Sequence, residues 1–178
     1  MKRITLPLSQ SDKNLHAGDC VLASGTVYTA RDCAHKRLFA LLDEDKPLPF
    51  PLEGAFIYYA GPCPAPEGKA CGSCGPTTSA RMNAFAPRLL RLGLGGMIGK
   101  GEMNEEARSA IKAQKAVYFA AIGGAGAFYG NAIKKCDLVA FPDLLSEAIY
   151  KLQIEDFPLV VAIDPDGNSI YDSSESKD

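Results

Sequence analysis

The spacing of apolar residues predicts short strands in the first part of the chain. Residues 1–8 alternate between polar and apolar side chains, which is typical of a strand with one buried face. Residues 19–29 predict a second strand, bent or bulged at Gly25 because a glycine within a strand pattern marks such an irregularity. The apolar run of residues 55–61 predicts a buried third strand.

Apolar residues at helical spacing predict helices between and after these strands. In the first helix, Ala34, Leu38 and Leu41 lie on one side and charged side chains on the other. The second helix contains Pro87, near which we expect a distortion. The predicted helices cover residues 32–43, 79–93, 104–115 and 144–152.

Strands and helices alternate in the second half of the chain, which favours a parallel sheet and an α/β class. The glycine-rich residues 123–127 lack the GxGxxG spacing of a dinucleotide loop, so we interpret them as a tight turn. The predicted strands of this half cover residues 95–98, 116–122, 138–141 and 159–164. The pattern alone predicts no architecture finer than α/β.

The composition is that of a folded domain. The chain has 178 residues, of which 47% are hydrophobic and 22% charged, and its formal net charge is −2. These values exclude a disordered chain and give no basic field for nucleic acid or an anionic membrane. We expect one lobe over residues 1–172 and a polar tail over residues 173–178. No apolar run has the length of a membrane span, and residues 1–7 lack the apolar core of a secretory signal, so we expect a cytoplasmic location.

Cysteine is the unusual feature of this composition. In a cytosolic protein, cysteines are expected to be thiols or metal ligands rather than disulfides. Cys71 and Cys74 form a CxxC motif, which suits zinc or an iron–sulfur cluster, but a tetrahedral site needs two more ligands. Cys63 is near in sequence, yet there is no second CxxC or histidine pair. The six cysteines are Cys20, Cys33, Cys63, Cys71, Cys74 and Cys136.

Residues 75–82 (GPTTSARM) read as a loop that enters a helix. Thr77 and Arg81 are four residues apart, so in a helical turn they share a face. A hydroxyl, a guanidinium and free backbone amides would then converge on one point, which suits a small carboxylate. The alternative is that Thr77 caps a helix and Arg81 is a solvated surface residue. The local sequence leaves both interpretations open.

Two further cations occupy similar settings. Arg31 lies in a second loop-to-helix segment, residues 29–37. Lys100 lies between Gly99 and Gly101, where the backbone can bend tightly and bring the ammonium to a ligand. Together Arg31, Arg81 and Lys100 would neutralise a dicarboxylate.

These segments resemble the β subunit, equivalently the C-terminal domain, of the class I fumarase and L-tartrate dehydratase family of iron–sulfur hydro-lyases. The resemblance covers nearly the whole chain in the right order, and its first two segments are the specific ones. The matching segments are residues 24–32 (SGTVYTARD) with 34–37 (AHKR), residues 75–82, residues 99–101 (GKG) and residues 155–158 (EDFP).

The resemblance implies a function, a fold and a partner. It implies the β subunit of a two-subunit class I fumarate hydratase, with L-tartrate dehydratase or a related 2-hydroxy-diacid hydro-lyase as the alternative. It implies a three-layer swivelling β/β/α domain with a largely parallel central sheet. It implies a [4Fe–4S] cluster held by an α subunit and not by these cysteines, and an α2β2-type assembly. A non-catalytic lobe that binds organic anions is the alternative from another class.

The resemblance also assigns roles to site residues. Thr77 is implied to be the catalytic base, and Arg31, Arg81 and Lys100 are implied to bind the substrate carboxylates. A threonine hydroxyl is a very weak base, so this role requires that neighbouring cations and amides stabilise its alkoxide.

Four other polar residues lie beside these motifs. For His35 we favour a structural hydrogen bond over a role in the site. For Asp32 we favour capping of the helix over orientation of Arg31. Asn83 stands where the resemblance leads us to expect an acid that could orient Arg81. Cys33, like the CxxC pair, is unusual beside these motifs and suggests sensitivity to oxidation.

Overall fold

The computed structural model describes residues 1–9, 12 and 14–172, so the predicted tail over residues 173–178 lies outside the described residues. The strands are β1 (Lys2–Leu6), β2 (Cys20–Thr29), β3 (Phe56–Tyr58), β4 (Gly96–Gly99), β5 (Val117–Ala120), β6 (Ile133–Ala140) and β7 (Ile149–Ile163). The helices are α1 (Asp32–Asp43), α2 (Ala86–Arg91), α3 (Glu105–Gln114) and α4 (Gly126–Ala132). Shorter 3₁₀ segments cover Ser79–Met82, Pro142–Glu147 and Ile170–Asp172. In this part of the chain, no helix has the length and apolar character needed to cross a bilayer.

The strands form one mixed sheet in the order β1-β2-β3-β4-β5-β7-β6. Neighbours from β1 to β5 are parallel, whereas β7 runs antiparallel to β5, β6 and β2. Because β7 pairs with both β5 and β2, strands β2, β3, β4, β5 and β7 close into a ring. The α/β class is confirmed, while the three-layer swivelling arrangement stays a prediction.

Strands β3, β4 and β5 of this ring are buried on both faces. In β3, Ile57 packs in a cluster with residues of α1, α2 and α3, while Phe56 and Tyr58 belong to a second cluster. Met97 and Ile98 in β4 divide between the two clusters in the same way. Burial on both faces produces continuous apolar runs, which explains why β3 and β5 were predictable from sequence.

Gly25 is the predicted irregularity in β2, and the prediction is confirmed. The pairing of β2 with β7 shifts register between Ala23 and Gly25, and Gly25 has a φ of 126°. A Cβ added at Gly25 would lie 2.1 Å from the carbonyl oxygen of Leu6 in β1. Only glycine therefore permits the close approach of β1 to β2 at this point.

Two of the predicted helices are wrong. The segment predicted as a helix over residues 79–93 is a 3₁₀ turn, Ser79–Met82, followed by the separate helix α2. Pro87 lies in the first turn of α2, where its missing N–H is tolerated, so it begins this helix instead of distorting a longer one. The segment predicted as a helix over residues 144–152 mostly belongs to the end of a 3₁₀ segment and the start of β7.

Candidate active site

The motifs from the sequence meet at one edge of the sheet. Arg31 follows the end of β2, and Lys100 follows Gly99, the last residue of β4. The loop that contains Gly123 follows β5. Because β2 to β5 are parallel neighbours, their carboxyl ends lie side by side, at the edge where open α/β sheets generally bind ligands.

Backbone hydrogen bonds attach the turn that carries Thr77 to this edge. The Thr77 N–H donates to the Tyr59 carbonyl oxygen at 2.7 Å, and the Ser79 N–H donates to the Lys100 carbonyl oxygen at 2.9 Å. The Ser79 side chain is buried, and its Oγ lies 2.8 Å from the Tyr118 hydroxyl, which donates to the Gly101 carbonyl at 2.7 Å. These bonds fix the position of Thr77 relative to the ends of β3 and β4.

Arg81 contacts the Thr77 hydroxyl directly. Its Nη2 donates to Thr77 Oγ1 at 2.6 Å. The same nitrogen lies 3.5 Å from Asp32 Oδ2, at the start of α1. The predicted contact between Thr77 and Arg81 is therefore present, although the segment is a 3₁₀ turn rather than an α-helix. A guanidinium N–H aimed at Oγ1 stabilises negative charge on that oxygen.

Arg31 lies on the other side of the start of α1, beside Glu147. Its Nε is 3.8 Å from Glu147 Oε1, and this buried Nε has no hydrogen-bond partner within the described residues. A Cβ added at Gly61 would lie 3.1 Å from Arg31 Nη1, so a glycine makes room for the guanidinium. Glu147 also forms a hydrogen bond with the Cys33 thiol, whose pKa is raised by that carboxylate. The Arg31 Nε is thus an unsatisfied donor enclosed by the protein, which leaves the charge of the guanidinium only partly balanced by Glu147.

The Lys100 side chain extends over the loop that follows β5. A Cβ added at Gly123 would lie 3.4 Å from Lys100 Cδ and 3.7 Å from its Nζ. Gly101 has a φ of 80°, which provides the tight bend predicted around this lysine. Within the described residues, Lys100 forms no ion pair. The site thus combines three cations, Arg31, Arg81 and Lys100, with two carboxylates, Asp32 and Glu147.

Comparison with known proteins places the chain in a family. The sequence profile described as Fumarase C-terminus matches residues 2–174. The chain belongs to the Fumarase C-terminus family.

Relatives of this family member differ in length and in name. The chain is 40% identical over 171 residues to the "Putative L(+)-tartrate dehydratase subunit beta" of Methanocaldococcus jannaschii, covering 93% of this chain and 88% of that protein. It is 36% identical over 174 residues to fumarate hydratase 2 of Leishmania major, covering 96% of this chain and 30% of that protein. It is 37% identical over 174 residues to the aerobic class I fumarate hydratase of Escherichia coli, covering 96% of this chain and 31% of that protein. The chain thus spans most of the archaeal relative and under a third of these two fumarate hydratases.

His35 has a structural role in this Fumarase C-terminus domain, as predicted. Its ring is buried, and Nδ1 lies 2.8 Å from the Arg31 carbonyl oxygen. The ring stacks on Phe85 with centroids 5.0 Å apart and meets Tyr59 edge-on at 5.7 Å. Burial lowers the pKa of His35 to about 4. His35 is therefore neutral at physiological pH and holds the backbone of Arg31 in place.

The burial of His35 predicts a pH-dependent stability. An unfolded histidine takes up a proton near pH 6.5, whereas His35 in the folded chain does so near pH 4, so its contribution is complete above pH 6.5 and is lost as the pH falls towards 4. Between pH 7 and pH 5, this loss is expected to lower the free energy of unfolding by about 2 kcal/mol. Denaturant unfolding of the wild type and of His35→Phe measures it. Between pH 7 and pH 5, the free energy of unfolding of the wild type should fall by that amount relative to that of His35→Phe. If the two free energies change in parallel with pH, the lowered pKa of His35 is contradicted.

Two other expectations about neighbouring polar residues have different outcomes. The prediction that Asp32 caps α1 is wrong, because the N-cap is Arg31, without a side-chain capping bond, and Asp32 pairs with Arg81. That Asn83 stands in the place of an acid stays a prediction. The Asn83 Oδ1 accepts a hydrogen bond from the Asn104 N–H at 3.1 Å, which joins the Thr77 turn to the start of α3.

The CxxC motif lies beside a further thiol, that of Cys136. Cys71 and Cys136 are hydrogen-bonded to each other. This bond lowers the pKa of Cys71, but the hydrogen bond with Cys74 and burial outweigh it and raise that pKa to about 12. All six cysteines are free thiols. In the described part of the chain, no group of three or more His, Cys, Asp or Glu side chains is placed to hold a metal ion. The donor set of these residues therefore does not fit an iron–sulfur cluster.

Sequence reasoning did not identify Glu147 as part of the site, and it assigned Asp32 to the wrong task. Glu147 is more than a hundred residues from Arg31 in the chain, and it lies in the 3₁₀ segment that was predicted as a helix. Asp32 is next to Arg31 in the sequence, but the residue that Asp32 pairs with, Arg81, lies 49 residues further along the chain. The only local signal was that an acid directly follows Arg31 in the specific motif.

Proposed function

We propose that this chain is the β-type lobe of a hydro-lyase that acts on a small dicarboxylate, with fumarate and (S)-malate as the substrate pair. The observation that carries the proposal is the hydrogen bond of 2.6 Å from Arg81 Nη2 to Thr77 Oγ1, at the edge of the sheet where Arg31 and Lys100 also lie. A hydroxyl held against a guanidinium is what a threonine base requires, because the cation stabilises its alkoxide.

In this proposal the three cations hold the two carboxylates of the substrate. Arg31 offers the terminal nitrogens of its guanidinium, since its Nε is buried beside Glu147, and Lys100 offers an ammonium without an ion pair among the described residues. Arg81 can donate to a carboxylate through the nitrogens that do not contact Thr77. Asp32 and Glu147 balance part of this positive charge, so the site accepts a dianion without a large excess of either sign.

Thr77 takes the proton from the carbon next to one carboxylate. That proton is weakly acidic, because its removal places a second negative charge on the carboxylate. The cations that hold this carboxylate stabilise the growing charge more strongly than the ground state, which is the requirement for catalysis. Thr77 acts as its alkoxide, so Oγ1 takes up the proton, becomes a neutral hydroxyl and keeps its hydrogen bond from Arg81, while the electron pair of the C–H bond passes to the substrate carboxylate.

We propose that a second polypeptide completes the enzyme. The name of the archaeal relative contains "subunit beta", and the chain spans only about a third of the fumarate hydratases it matches. The partner would be an α subunit that holds the [4Fe–4S] cluster, which supplies a Lewis acid for the leaving hydroxide when bound. Ile122 and Phe128, 64% and 58% exposed, flank the loop beside Lys100 and offer an apolar contact surface for it. An α2β2-type assembly in the cytoplasm and a swivelling β/β/α arrangement of this lobe are parts of the same proposal.

The second candidate is the corresponding lobe of an L-tartrate dehydratase. It is favoured by the relative with 40% identity and 88% coverage, which is named "Putative L(+)-tartrate dehydratase subunit beta". Fumarate, malate and tartrate share two carboxylates and differ in their hydroxyl groups, so the same three cations would hold each of them. A lobe that only binds organic anions would also use these cations, but it would not need Thr77.

The experiment is an assay of the complex formed with a cluster-bearing α subunit. From a panel of fumarate, (S)-malate, L-tartrate and methylfumarate, we expect anaerobic interconversion of fumarate and (S)-malate, whereas turnover of L-tartrate in their place would favour the second candidate. Lys100→Ala and Arg31→Ala should each raise KM about tenfold and also lower kcat, because charge on the carboxylate grows in the transition state. Arg88→Ala is the matched control, since Arg88 pairs with Asp43 at 2.6 Å in an ion pair outside the site. Binding of dicarboxylates without turnover of any of them would favour the anion-binding lobe.

A further inference from the structure

Asp32 has a place in the site that the proposed roles do not use. Its Oδ2 lies 3.5 Å from Arg81 Nη2, the nitrogen that donates to Thr77 Oγ1 at 2.6 Å. The Asp32 side chain is 31% exposed and begins α1, whose residues Ala34 and Leu38 are fully buried. Because α1 is packed in this way, the backbone of Asp32 is held in place, and its carboxylate can orient a flexible arginine side chain.

We propose that Asp32 is a positioning residue that acts on Thr77 through Arg81. It orients the guanidinium towards Thr77 Oγ1, and its negative charge sets how strongly that oxygen holds a proton. The proposal rests on the proposed function, in which Thr77 is the base.

The chemical reason is that a base must be neither too weak nor too strong. Arg81 alone would stabilise the Thr77 alkoxide so well that the oxygen would become a poor acceptor for a weakly acidic proton. Asp32, whose Oδ2 lies 3.5 Å from the same guanidinium nitrogen, offsets part of this positive charge. It thereby keeps the hydrogen bond to Thr77 while it restores the proton affinity of the oxygen.

The other charged groups around Thr77 have contacts of their own, although the charge of Asp32 reaches two neighbours. Burial lowers the pKa of His35 and Asp32 opposes that shift, while Glu147 raises the pKa of the Cys33 thiol and Asp32 adds to it. Arg31 is paired with Glu147, which also bonds the Cys33 thiol. Lys100 extends over Gly123 on the neighbouring loop. His35 lies behind the start of α1 and is neutral above about pH 4. A substitution at Asp32 therefore changes the charge that faces Arg81 and leaves these groups in place.

The alternative role for Asp32 is to stabilise α1, because an acid in the first turn of a helix interacts favourably with the helix dipole. That role would affect the stability of α1 and leave the proton affinity of Thr77 unchanged. The two roles are separated by the pH profile of the reaction, which a purely structural carboxylate does not move.

The test uses Asp32→Asn in the assembled complex, with kcat/KM measured against pH. We expect kcat to fall about tenfold and the acid limb of the profile to move about one pH unit lower, because removal of a negative charge near Thr77 favours its alkoxide. Asp32→Glu keeps the charge on a longer side chain, so it should lower kcat while the limb stays at the wild-type position. The Asp32→Glu variant also serves if Asp32→Asn fails to assemble. Asp43→Asn, at the other end of α1, is the matched control and should leave the profile unchanged.

The outcomes separate this inference from the proposed function. If Asp32→Asn keeps kcat within about twofold and the limb does not move, while Thr77→Ala is inactive, the inference is overturned and the proposed function stands. If Asp32→Glu moves the limb as far as Asp32→Asn, the charge is not what acts, and the inference is overturned as well. If Thr77→Ala still exchanges the substrate proton at the wild-type rate, the base itself is wrongly assigned, and both fail.

Discussion

Thr77→Ala is expected to lower kcat of the assembled complex at least about a hundredfold while KM stays within about twofold of the wild type. A base and a binding residue fail differently. In the proposed mechanism, removal of the Thr77 hydroxyl leaves Arg31, Arg81 and Lys100 in place to hold the substrate, but it removes the atom that would accept the proton. Steady-state kinetics and the exchange of the substrate C3 proton with deuterated solvent measure the two effects separately.

The neighbouring residues provide matched controls for this change. Thr78→Ala removes an exposed hydroxyl one residue away on the same turn, and its kcat should remain within about twofold of the wild type. Thr77→Ser keeps the hydroxyl that accepts the 2.6 Å hydrogen bond from Arg81 and should retain much of the activity. If Thr77→Ala exchanges the C3 proton as fast as the wild type, then the base lies elsewhere, most simply on the partner.

The contact at the centre of the site was predictable because it is local. Thr77 and Arg81 lie four residues apart, with Thr77 just before the extended residue Thr78 at which the 3₁₀ turn begins, and this short separation keeps their side chains within reach of each other. The same holds for the bulge at Gly25 and for the helix α1, whose cues lie within a few residues. These features depend on residues that are close together in the sequence, so they can be predicted from it.

The acids that face the arginines were not predictable in the same way. The pairing of Asp32 with Arg81 and of Glu147 with Arg31 depends on the parallel order of β2, β3 and β4 and on the path of the chain before β7. A sequence pattern contains the residue types but not these distances. The 3₁₀ segment that contains Glu147 was predicted as a helix. Nothing in the sequence therefore indicated that Glu147 lies close to Arg31.

The closed ring was missed for a related reason. Strand β7 is 15 residues long, and it pairs with β6 and β5 along its length and with β2 opposite them. At the start of β7, the alternation of polar and apolar residues is too short to distinguish a strand from a helix. The last residues of β7 were predicted as a separate short strand. Closure depends on the pairing of β7 with two distant strands, which no local window contains.

Gly99→Ala is expected to lower kcat/KM at least about a hundredfold through the backbone that carries Thr77. A Cβ at Gly99 would lie 1.9 Å from Ser79 Oγ and 2.9 Å from Tyr59 Cδ2. Ser79 is buried and hydrogen-bonded through its backbone to Lys100, so it cannot move without displacing the turn. Such overpacking is expected to cost about 1–3 kcal/mol of stability, measured by denaturant unfolding, and displacement of Thr77 by even about 1 Å is enough for the loss of rate.

The double variant Gly99→Ala with Ser79→Ala distinguishes this displacement from a general loss of fold. Removal of the Ser79 oxygen relieves the closest overlap and leaves the Ser79 Cβ 3.3 Å from the new methyl group. Tyr118 keeps its hydrogen bond of 2.7 Å to the Gly101 carbonyl, so the core beneath the turn stays satisfied. The double variant should recover at least about tenfold in kcat/KM over Gly99→Ala alone, because the two substitutions act on one contact. Additive losses would mean that Gly99 and Ser79 act independently, and that the close approach of β4 to the Thr77 turn is not what holds the base in position.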